Sequence, residues 1–244
     1  MKTFRTLAEQ EVGRAIEGIF SNCPDSVETK LENFPKYVRR QHLKRFLAMY
    51  EIFKKVLHVK GSIVECGVYR GFGLMTWAKL SAILEPENLT RRIYGFDSFA
   101  GLTGIVKQDQ SDSSQAAEGA LNADSFDELE ELIKQYDADR FLGHINKVEL
   151  MRGDAASTIP AFLTNNPHLV VSLLFLDFDS YEATKVAINH LVPRMPKGSI
   201  IAFDELDNPI WPGETLALLD TIGIRNLELN RIEWDPYIAY SVIN

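Results

Sequence analysis

From Ser62 onward the sequence alternates between short apolar runs and segments with helical periodicity, and this alternation limits the possible folds more than any other feature. Five of the runs have the length of strands: SIVECGV, RRIYGFD, KVELMRGD, VVSLLFLDFD and GSIIAFDE. Runs that are apolar almost throughout are typical of parallel strands with helices on both faces. The predicted fold class is therefore α/β, with a doubly wound, Rossmann-like sheet.

The end of the chain departs from this alternation. Two strand-like runs, RNLELNRIEW and YIAYSVI, are separated only by Asp235 and Pro236. A link this short allows an antiparallel pair but has no room for a crossover helix. We therefore predict a seven-stranded sheet, in which five parallel strands are followed by a C-terminal antiparallel hairpin.

The first sixty residues have helical periodicity instead. Arg5 to Phe20 and Tyr37 to His58 are amphipathic segments of helical length. We assign residues 1–60 to an N-terminal helical extension and residues 61–244 to the α/β domain. The apolar faces of these helices need cover, either over the active site or in a homo-oligomer, and the sequence leaves both alternatives open.

Composition argues against several classes of partner. The net charge of −8 disfavours DNA and RNA, whose binding depends on Lys and Arg. No apolar run approaches the roughly 20 residues needed to cross a bilayer, so no membrane partner is expected, and the N-terminus does not resemble a signal peptide. Cys23 and Cys66 are the only cysteines and suggest no disulfide framework, which favours a cytoplasmic location.

One stretch is an exception to the acidic balance. RRQHLKR, from Arg39 to Arg45, is strongly basic. These cations form either the solvated face of a helix or a patch for a small substrate that bears phosphate.

Gly101 to Asp124 is a polar segment, rich in Ser, Asp, Gln and Ala, that has no regular period. Long loops of this kind are usually functional or disordered. Because the segment starts just past the second strand, we predict a lid over the site at residues 101–124. Ser125 and Glu128 have the spacing of a capping box, which predicts a helix start directly after the segment.

Ligands of open parallel sheets bind at the carboxyl ends of the strands. Gly67, Gly71 and Gly73 follow the first strand, where glycines let the backbone approach a ligand and leave the amides of a helix start open. Their spacing differs from the dinucleotide fingerprint, and a packing turn is the alternative. Asp97 ends the second strand, where an acid typically accepts hydrogen bonds from a ribose. Asp154 ends the third strand and either lies near an adenine or caps the next helix.

The fourth and fifth strands both end in acids. Asp177 and Asp179 lie two positions apart, on one face of the strand end, and Asp204 and Glu205 follow the adjoining strand. Four converging carboxylates repel one another unless a cation or bound protons relieve them. Because only oxygen ligands are on offer, a hard divalent ion such as Mg²⁺ is favoured. The alternative is that two of these acids cap helices and face water.

The stretches VECGVYRGFG, YGFDSF, LFLDFDSYEAT and GSIIAFDEL, in this order and spacing, resemble the metal-dependent sugar O-methyltransferases of macrolide and aminocoumarin biosynthesis, the macrocin and mycinamicin group. The resemblance covers the chain from about Arg39 to Glu205. It implies a class I methyltransferase fold with a terminal hairpin, and S-adenosylmethionine and a divalent metal such as Mg²⁺ as cofactors. It also implies a small-molecule acceptor, nucleotide-linked or glycosylated, that is methylated on a hydroxyl of a sugar or of another diol.

The resemblance also implies roles for single residues. Asp179 corresponds to the general base, and Asp177, Asp204 and Glu205 correspond to the metal ligands. The implied cofactor shell consists of Glu65, Gly67, Tyr69, Gly71, Gly73, Asp97, Ser98, Asp154, Ala155 and Asp177. The chain departs from the family pattern at Phe175, where the family usually has His, and at Glu205, where it commonly has Asp.

Other functions are compatible with the same residues. A catechol-type O-methyltransferase also places acids around Mg²⁺ at these strand ends, and its acceptor is a planar diol. A non-catalytic protein that binds S-adenosylmethionine fits the departures at Phe175 and Glu205. The glycine spacing and the terminal hairpin disfavour a nicotinamide dehydrogenase. Trp211, beyond the fifth strand, either stacks on a sugar or is buried in the turn before a helix.

Overall fold

The computed structural model describes residues 6–113 and 116–244. The chain divides into two compact units, one that ends at Leu47 and one that runs from Ala48 to Asn244. This boundary lies within the third helix, whereas the sequence suggested a division after that helix, at residue 60. Whether residues 1–60 and 61–244 behave as domains stays a prediction.

The first unit is helical. Its elements are α1 (Leu7–Asn22), α2 (Val27–Glu32), a 3₁₀ turn (Phe34–Lys36) and the first part of α3 (Arg40–Val56). α1 begins with a capping box, in which the N–H of Glu9 donates to Thr6 Oγ1 at 3.2 Å and the N–H of Thr6 donates to Glu9 Oε2 at 2.8 Å. The predicted helix start at Arg5 lies outside the described residues. α2 has no counterpart among the predicted elements, because six residues are too few to show a helical period.

The second unit contains a seven-stranded sheet, as predicted. Its strands are β1 (Ser62–Cys66), β2 (Ile93–Asp97), β3 (Val148–Arg152), β4 (Val171–Leu176), β5 (Ile200–Phe203), β6 (Asn230–Arg231) and β7 (Ala239–Val242). They lie in the order β3-β2-β1-β4-β5-β7-β6. The first five are parallel, and β7 is antiparallel to both β5 and β6. The strand order reverses between β1 and β4, which is where open α/β sheets bind ligands.

Helices cover both faces of this sheet. They are α4 (Phe72–Leu84), α5 (Phe126–Asp139), α6 (Ala155–Asn165), α7 (Tyr181–Leu191) and α8 (Pro212–Asp220). Alternate residues of β4 point to opposite faces: Leu174 and Leu176 belong to one core cluster with residues of α6 and α7, whereas the ring of Phe175 lies 5.6 Å from that of Trp77 in α4. The strands β1, β4 and β5 are buried along their whole length, which explains their apolar runs. No helix in the described part of the chain is long and apolar enough to cross a membrane.

The C-terminal hairpin is confirmed, but its strands are shorter than the apolar runs. Only Asn230–Arg231 of the first run is a strand, and the start of that run belongs to a 3₁₀ turn at Ile224–Asn226, which follows Gly223 (φ 77°). The loop between β6 and β7 spans residues 232–238. Asp235 closes this loop, since its Oδ1 accepts from the N–H groups of two later residues, at 2.9 and 3.2 Å.

The capping box predicted at Ser125 and Glu128 is wrong. α5 does begin at Phe126, but the side chain of Ser125 caps no helix N–H. Its Oγ instead donates to the carbonyl oxygen of Tyr69, at 2.5 Å. A contact with a turn more than fifty residues away thus replaces the local cap.

Arg91 joins three elements at the edge where the strands begin. Its side chain is 2% exposed, and its Nε lies 2.8 Å from Oε1 of Glu85. Its Nη2 donates to the carbonyl of Val56 at the end of α3, at 2.9 Å, and its Nη1 donates to the carbonyl of Gly61, at 3.0 Å, and to Ser172 Oγ. One buried cation therefore connects the end of α3 with the entries of β1 and β4.

Replacement of Arg91 by Met should lower the free energy of unfolding by about 3–5 kcal/mol, because it leaves a buried carboxylate and several carbonyls without their donor. The matched control is Arg92→Met, at a half-buried neighbour, for which we expect a loss of about 1 kcal/mol or less. Urea unfolding followed by circular dichroism measures both. Equal losses for the two variants would contradict this role of Arg91.

Candidate functional site

The carboxyl ends of β1, β2, β4 and β5 form one edge of the sheet. Cys66 at the end of β1 aligns with Phe96 in β2 and with Leu176 in β4, and Leu176 aligns with Phe203 in β5. The residues that follow these strands therefore meet at this edge. They include the glycine turn (residues 67–73) and the acidic cluster (Asp177, Asp179, Asp204 and Glu205).

The glycine turn and the acidic cluster touch through their backbones. Gly67 has a φ of 97°, and a Cβ at this position would lie 1.9 Å from the carbonyl oxygen of Asp177. The N–H of Asp177 donates to the carbonyl of Cys66 at 2.7 Å. Only glycine allows so close an approach, so the packing of the chain itself requires Gly67. The packing turn that we considered as an alternative thus accounts for this glycine.

The side chain of Glu65 also packs directly against Gly73, where no larger residue would fit. Glu65 is 2% exposed on β1, and a Cβ on Gly73 would lie 2.3 Å from its Oε1. The carboxylate therefore lies against the first turn of α4, where the helix dipole favours a negative charge. Gly71 is the N-cap of α4 and has a φ of 82°. Contacts of Glu65, Gly71 and Gly73 with a cofactor stay predictions.

Asp97 organises the turn beside it. Its Oδ2 accepts from the N–H groups of Val68 and Tyr69, each at 2.7 Å, and its Oδ1 accepts from the N–H of Phe99, also at 2.7 Å. These bonds hold the backbone of Tyr69 at a φ of 51°, an unusual value for a residue with a side chain. Asp97 thus positions the glycine turn, whatever further contact it makes.

Two other predicted cofactor residues also hold turns at this edge. Asp154 is the N-cap of α6, and its Oδ1 accepts from the N–H of Ala156 at 3.3 Å, so the helix-cap alternative is confirmed. Ala155 is buried at the first position of that helix. Ser98 Oγ donates to the carbonyl of Gly101 at 2.7 Å. Their contacts with a cofactor stay predictions.

The acidic cluster lies on two neighbouring strand ends, as the sequence predicts. Asp177 and Asp204 directly follow the aligned pair Leu176 and Phe203, and the N–H of Asp204 donates to the carbonyl of Leu176 at 3.0 Å. Asn208 Nδ2 donates to Oε2 of Glu205. Within residues 6–113 and 116–244, no three His, Cys, Asp or Glu side chains are arranged to hold a metal ion. The predicted metal site at Asp177, Asp204 and Glu205 therefore stays a prediction.

Glu214 belongs to this site but is absent from the predicted ligands and base. It is fully buried in the first turn of α8, and its Oε1 accepts from the N–H of Glu205 at 3.0 Å. Burial raises the pKa of the Glu214 carboxyl well above its usual value, and the charges of Asp179, Asp204 and Glu205 raise it further, although the hydrogen bond from Glu205 opposes them. In the sequence Glu214 looks like an ordinary acid at a helix start, which hides this role.

The predicted lid, residues 101–124, reaches across the same edge, although residues 114 and 115 lie outside the described part. Asp109 is 2% exposed, and its Oδ1 accepts from the N–H of Tyr181 at the start of α7, at 2.6 Å. A Cβ on Gly213 would lie 2.0 Å from this oxygen. The segment is thus tied to the chain two residues beyond Asp179.

Apolar contacts also hold this segment. Trp211 is 8% exposed and packs with Leu102 and Ala116 of the segment. Of the two alternatives for Trp211, the buried one is confirmed. Phe175, where the family usually has His, is fully buried against Trp77 and belongs to the core.

The basic stretch Arg39 to Arg45 lies in the first compact unit, at the start of α3. Arg39 Nη2 donates to the carbonyl of Glu9 in α1, at 3.3 Å. One of these cations therefore has a structural partner within its own unit, and the phosphate patch stays a prediction.

Comparison with known proteins agrees with this geometry. Residues 37–228 match the model of the macrocin-O-methyltransferase (TylF) family. The chain is similar to the crystal structure of CalS11, a calicheamicin methyltransferase, with a TM-score of 0.94 and 34% identity over 98% of this chain and 94% of that chain. It is also similar to an apo structure of CalS11, described as a TDP-rhamnose 3'-O-methyltransferase, with a TM-score of 0.86 over 98% of this chain and 96% of that one.

A curated relative is more distant. The 8-demethyl-8-(2,3-dimethoxy-alpha-L-rhamnosyl)-tetracenomycin-C 4'-O-methyltransferase of Streptomyces olivaceus is 26% identical over 148 residues, which are 60% of this chain and 53% of the relative. The match thus spans about half the length of that relative. The O-methyltransferase NovP, at 20% identity and a TM-score of 0.64, shares the fold.

Glu214 should make stability depend on pH. Because its folded pKa is raised above the usual value of 4.5, its favourable contribution is present in acid and is lost as pH rises through the folded pKa. Glu214→Gln keeps an acceptor for the N–H of Glu205 but cannot ionise. In EDTA we expect the variant to match the wild type near pH 4.5 and to become more stable than it toward pH 8, by about 1.4 kcal/mol per unit of pKa elevation.

Urea unfolding at a series of pH values measures this difference. The control is Glu182→Gln, at an exposed acid of α7, whose stability difference should not change with pH. A difference between Glu214→Gln and the wild type that is constant from acid to neutral pH would refute the raised pKa of Glu214.

Asp109 should hold residues 101–124 in place. Asp109→Ala removes the acceptor for Tyr181, and Gly213→Ala pushes the carboxylate away, so both should speed proteolytic cleavage within the segment by about tenfold or more. Limited proteolysis with mass spectrometry measures the rates. Asp112→Ala, at an exposed acid of the same segment, is the control and should change nothing. Wild-type cleavage rates in both Asp109→Ala and Gly213→Ala would exclude the tether.

Proposed function

The chain belongs to the macrocin-O-methyltransferase family, and we propose that it transfers a methyl group from S-adenosylmethionine to a hydroxyl of a sugar-bearing small molecule. The observation that carries the proposal is the backbone contact between Gly67 and Asp177. A methyl donor bound over the glycine turn and an acceptor bound at the acidic cluster would lie side by side. Such proximity is the main requirement for direct transfer between two bound molecules.

S-adenosylmethionine would lie across the ends of β1 and β2. Asp97 Oδ1 accepts one N–H bond, and a carboxylate oxygen can accept two, so it has capacity for a ribose hydroxyl. The glycine turn would lie beneath the methionine part. Ser98 and Ala155 would make their contacts mainly through the backbone, because the side chain of Ser98 already bonds to Gly101 and that of Ala155 is a buried methyl group. Tyr69 would contribute its side chain, which is 44% exposed.

Mg²⁺ fits the donor chemistry of the acidic cluster. Burial raises the pKa of Glu214, and the charges of three neighbouring carboxylates raise it further, so the negative charge at this cluster would favour a cation. Asp177, Asp204 and Glu205 would hold the ion with hard oxygen donors. Bound there, the ion would supply Lewis acidity that favours the alkoxide of the acceptor.

Asp179 would act as the general base. It would accept the proton of the acceptor hydroxyl while that oxygen attacks the methyl carbon, so that the sulfonium bond breaks and S-adenosylhomocysteine leaves. The sulfonium is already a good leaving group, so alignment and deprotonation are the tasks that fall to the protein. Residues 101–124, tied at Asp109, would exclude water from the reaction.

We propose a nucleotide-linked deoxysugar, with TDP-rhamnose as the first candidate, as the acceptor. The support is the likeness to CalS11, whose description names that substrate class. A glycosylated product is the second candidate, because the Streptomyces olivaceus relative is named for one. The catechol-type and non-catalytic alternatives predict, respectively, turnover of a planar diol and no turnover at all.

We further propose a cytoplasmic location and a homo-oligomer built through the N-terminal helices. The location rests on Cys23 and Cys66, which are both free thiols. The oligomer rests on large apolar side chains that are exposed within the first unit, among them Ile19 at 64% and Leu31 at 63%.

Single substitutions of the acids should separate their roles in metal binding, in proton transfer and in cofactor binding. With TDP-rhamnose and Mg²⁺, Asp177→Ala should lower turnover by at least about 100-fold, whereas its affinity for S-adenosylhomocysteine should fall much less, because the other predicted cofactor residues remain. Asp179→Asn, compared at saturating Mg²⁺, should lower kcat by about 10²–10⁴-fold. The control Asp207→Asn, at an exposed acid of the next loop, should keep wild-type activity.

Two measurements test these statements. The first is an assay of methyl transfer, and the second is thermal stability in the presence of S-adenosylhomocysteine, NAD or EDTA. A ligand at 100 times its Kd stabilises the fold by about 2.7 kcal/mol, which such a measurement resolves. Stabilisation by NAD, without stabilisation by S-adenosylhomocysteine, would exclude the proposed methyltransferase function. Full activity of Asp177→Ala in EDTA would exclude a metal requirement for the reaction.

A further inference from the structure

The loop between β6 and β7, residues 232–238, lies at the edge that carries the acidic cluster. β7 runs antiparallel to β5, and its first residue, Ala239, aligns with Phe203 at the end of β5. Arg231 at the end of β6 also aligns with Ala239. The loop therefore emerges beside Asp204, which directly follows Phe203.

This loop is rigid at its base. Asp235 is 3% exposed, and its Oδ1 accepts from the N–H groups of Tyr237, at 2.9 Å, and Ile238, at 3.2 Å. Ile232 and Ile238, at the two ends of the loop, are buried at 6% and 1% exposure. The conformation is thus fixed from within, and the loop needs no partner to hold it.

Between these buried residues the loop exposes two large aromatic side chains. Trp234 is 47% exposed and Tyr237 is 57% exposed, whereas the other tryptophans, Trp77 and Trp211, are almost completely buried. Exposed aromatic rings on a rigid loop lose little conformational entropy when a ligand binds. Because these rings lie at the edge that carries the acidic cluster, the ligand that fits them is a small molecule bound at that edge.

The dimensions suit one sugar. Neighbouring strands lie about 4.8 Å apart, and each extended residue adds about 3.3 Å. Trp234 is three residues beyond Arg231, so its backbone reaches at most about 10 Å past the sheet. Because β7 pairs with β5, a sugar ring whose hydroxyl faced Asp179 would have this loop beside it, on the side of β5 that lies away from β1 and β2.

We propose that Trp234 and Tyr237 form the binding platform for the acceptor, on which the C–H face of its sugar ring stacks. This inference rests on the proposed function and names the residues that select the acceptor. Trp211, considered above for the same task, is excluded from it by its burial under residues 101–124. The platform positions the acceptor and takes no part in proton transfer.

Fluorescence tests the platform directly. Because Trp77 and Trp211 are buried, quenching by acrylamide reports mainly on Trp234. With S-adenosylhomocysteine and Mg²⁺ present, TDP-rhamnose should lower the quenching constant at least about twofold, and TDP alone should not. The effect should be absent in Trp234→Ala.

Kinetics supply the second readout. Trp234→Ala and Tyr237→Ala should each raise KM for TDP-rhamnose by about tenfold, since loss of a stacked ring costs about 1.4 kcal/mol. Their affinity for S-adenosylhomocysteine should stay within about twofold of the wild type, and Trp234→Phe should restore most of the acceptor affinity. Phe141→Ala is the matched control, because this ring is 59% exposed near the opposite edge, just after α5.

The outcomes separate this inference from the proposed function. Methyl transfer to TDP-rhamnose with unchanged quenching and an unchanged KM in the variants would overturn the platform and leave the methyltransferase intact. If TDP lowered the quenching constant as much as TDP-rhamnose does, the rings would contact the thymine base of the nucleotide and not the sugar. If Trp234 became less accessible to acrylamide at higher protein concentration, with no ligand present, Trp234 and Tyr237 would instead contact a second copy of the chain. Failure of TDP-rhamnose to bind or react would overturn the proposed acceptor and, with it, the platform.

Discussion

The structure depends on the contact between two backbones at the centre of the sheet, Gly67 after β1 and Asp177 after β4. No side chain fits between them, because even a Cβ would lie 1.9 Å from the carbonyl oxygen of Asp177. The contact lies where the strand order reverses, so the helices that follow β1 and β4 leave a crevice on either side of it. The two halves of the site are therefore fixed relative to each other by the packing of the chain, before any ligand binds.

Acids at this edge divide into two kinds with different tasks. Asp97, Asp109 and Asp235 accept backbone N–H groups and hold the glycine turn, residues 101–124 and the β6–β7 loop. The acidic cluster after β4 and β5 instead brings carboxylates together; burial raises the pKa of the adjacent Glu214, and the charges of the cluster raise it further. Carboxylates that build loops thus surround the acidic cluster. The loop-building acids satisfy backbone donors that would otherwise need partners, and they fix the loops around that cluster.

The sequence allowed the sheet and the edge of the site to be predicted, because buried parallel strands are apolar throughout and ligands bind where such strands end. It did not show that Asp97 holds the glycine turn, because the N–H groups of Val68 and Tyr69 reach this carboxylate only in the folded chain. The capping box at Ser125 failed for the same reason, because Tyr69 offers a distant acceptor. The burial of Glu214 could not be predicted, because its environment comes from two other segments of the chain, those that follow β4 and β5.

Selection of the acceptor can vary without disturbing the rest of the site. The match to the family model ends at residue 228, two residues before β6, so the β6–β7 loop lies outside it. Asp235 fixes that loop from within, and Trp234 and Tyr237 project from it without packing into the core. Changes of these two rings therefore cost the fold little, whereas a change at Gly67 would separate the halves of the site. The topology thus places what must stay constant at β1 and β4 and what can change at the last hairpin.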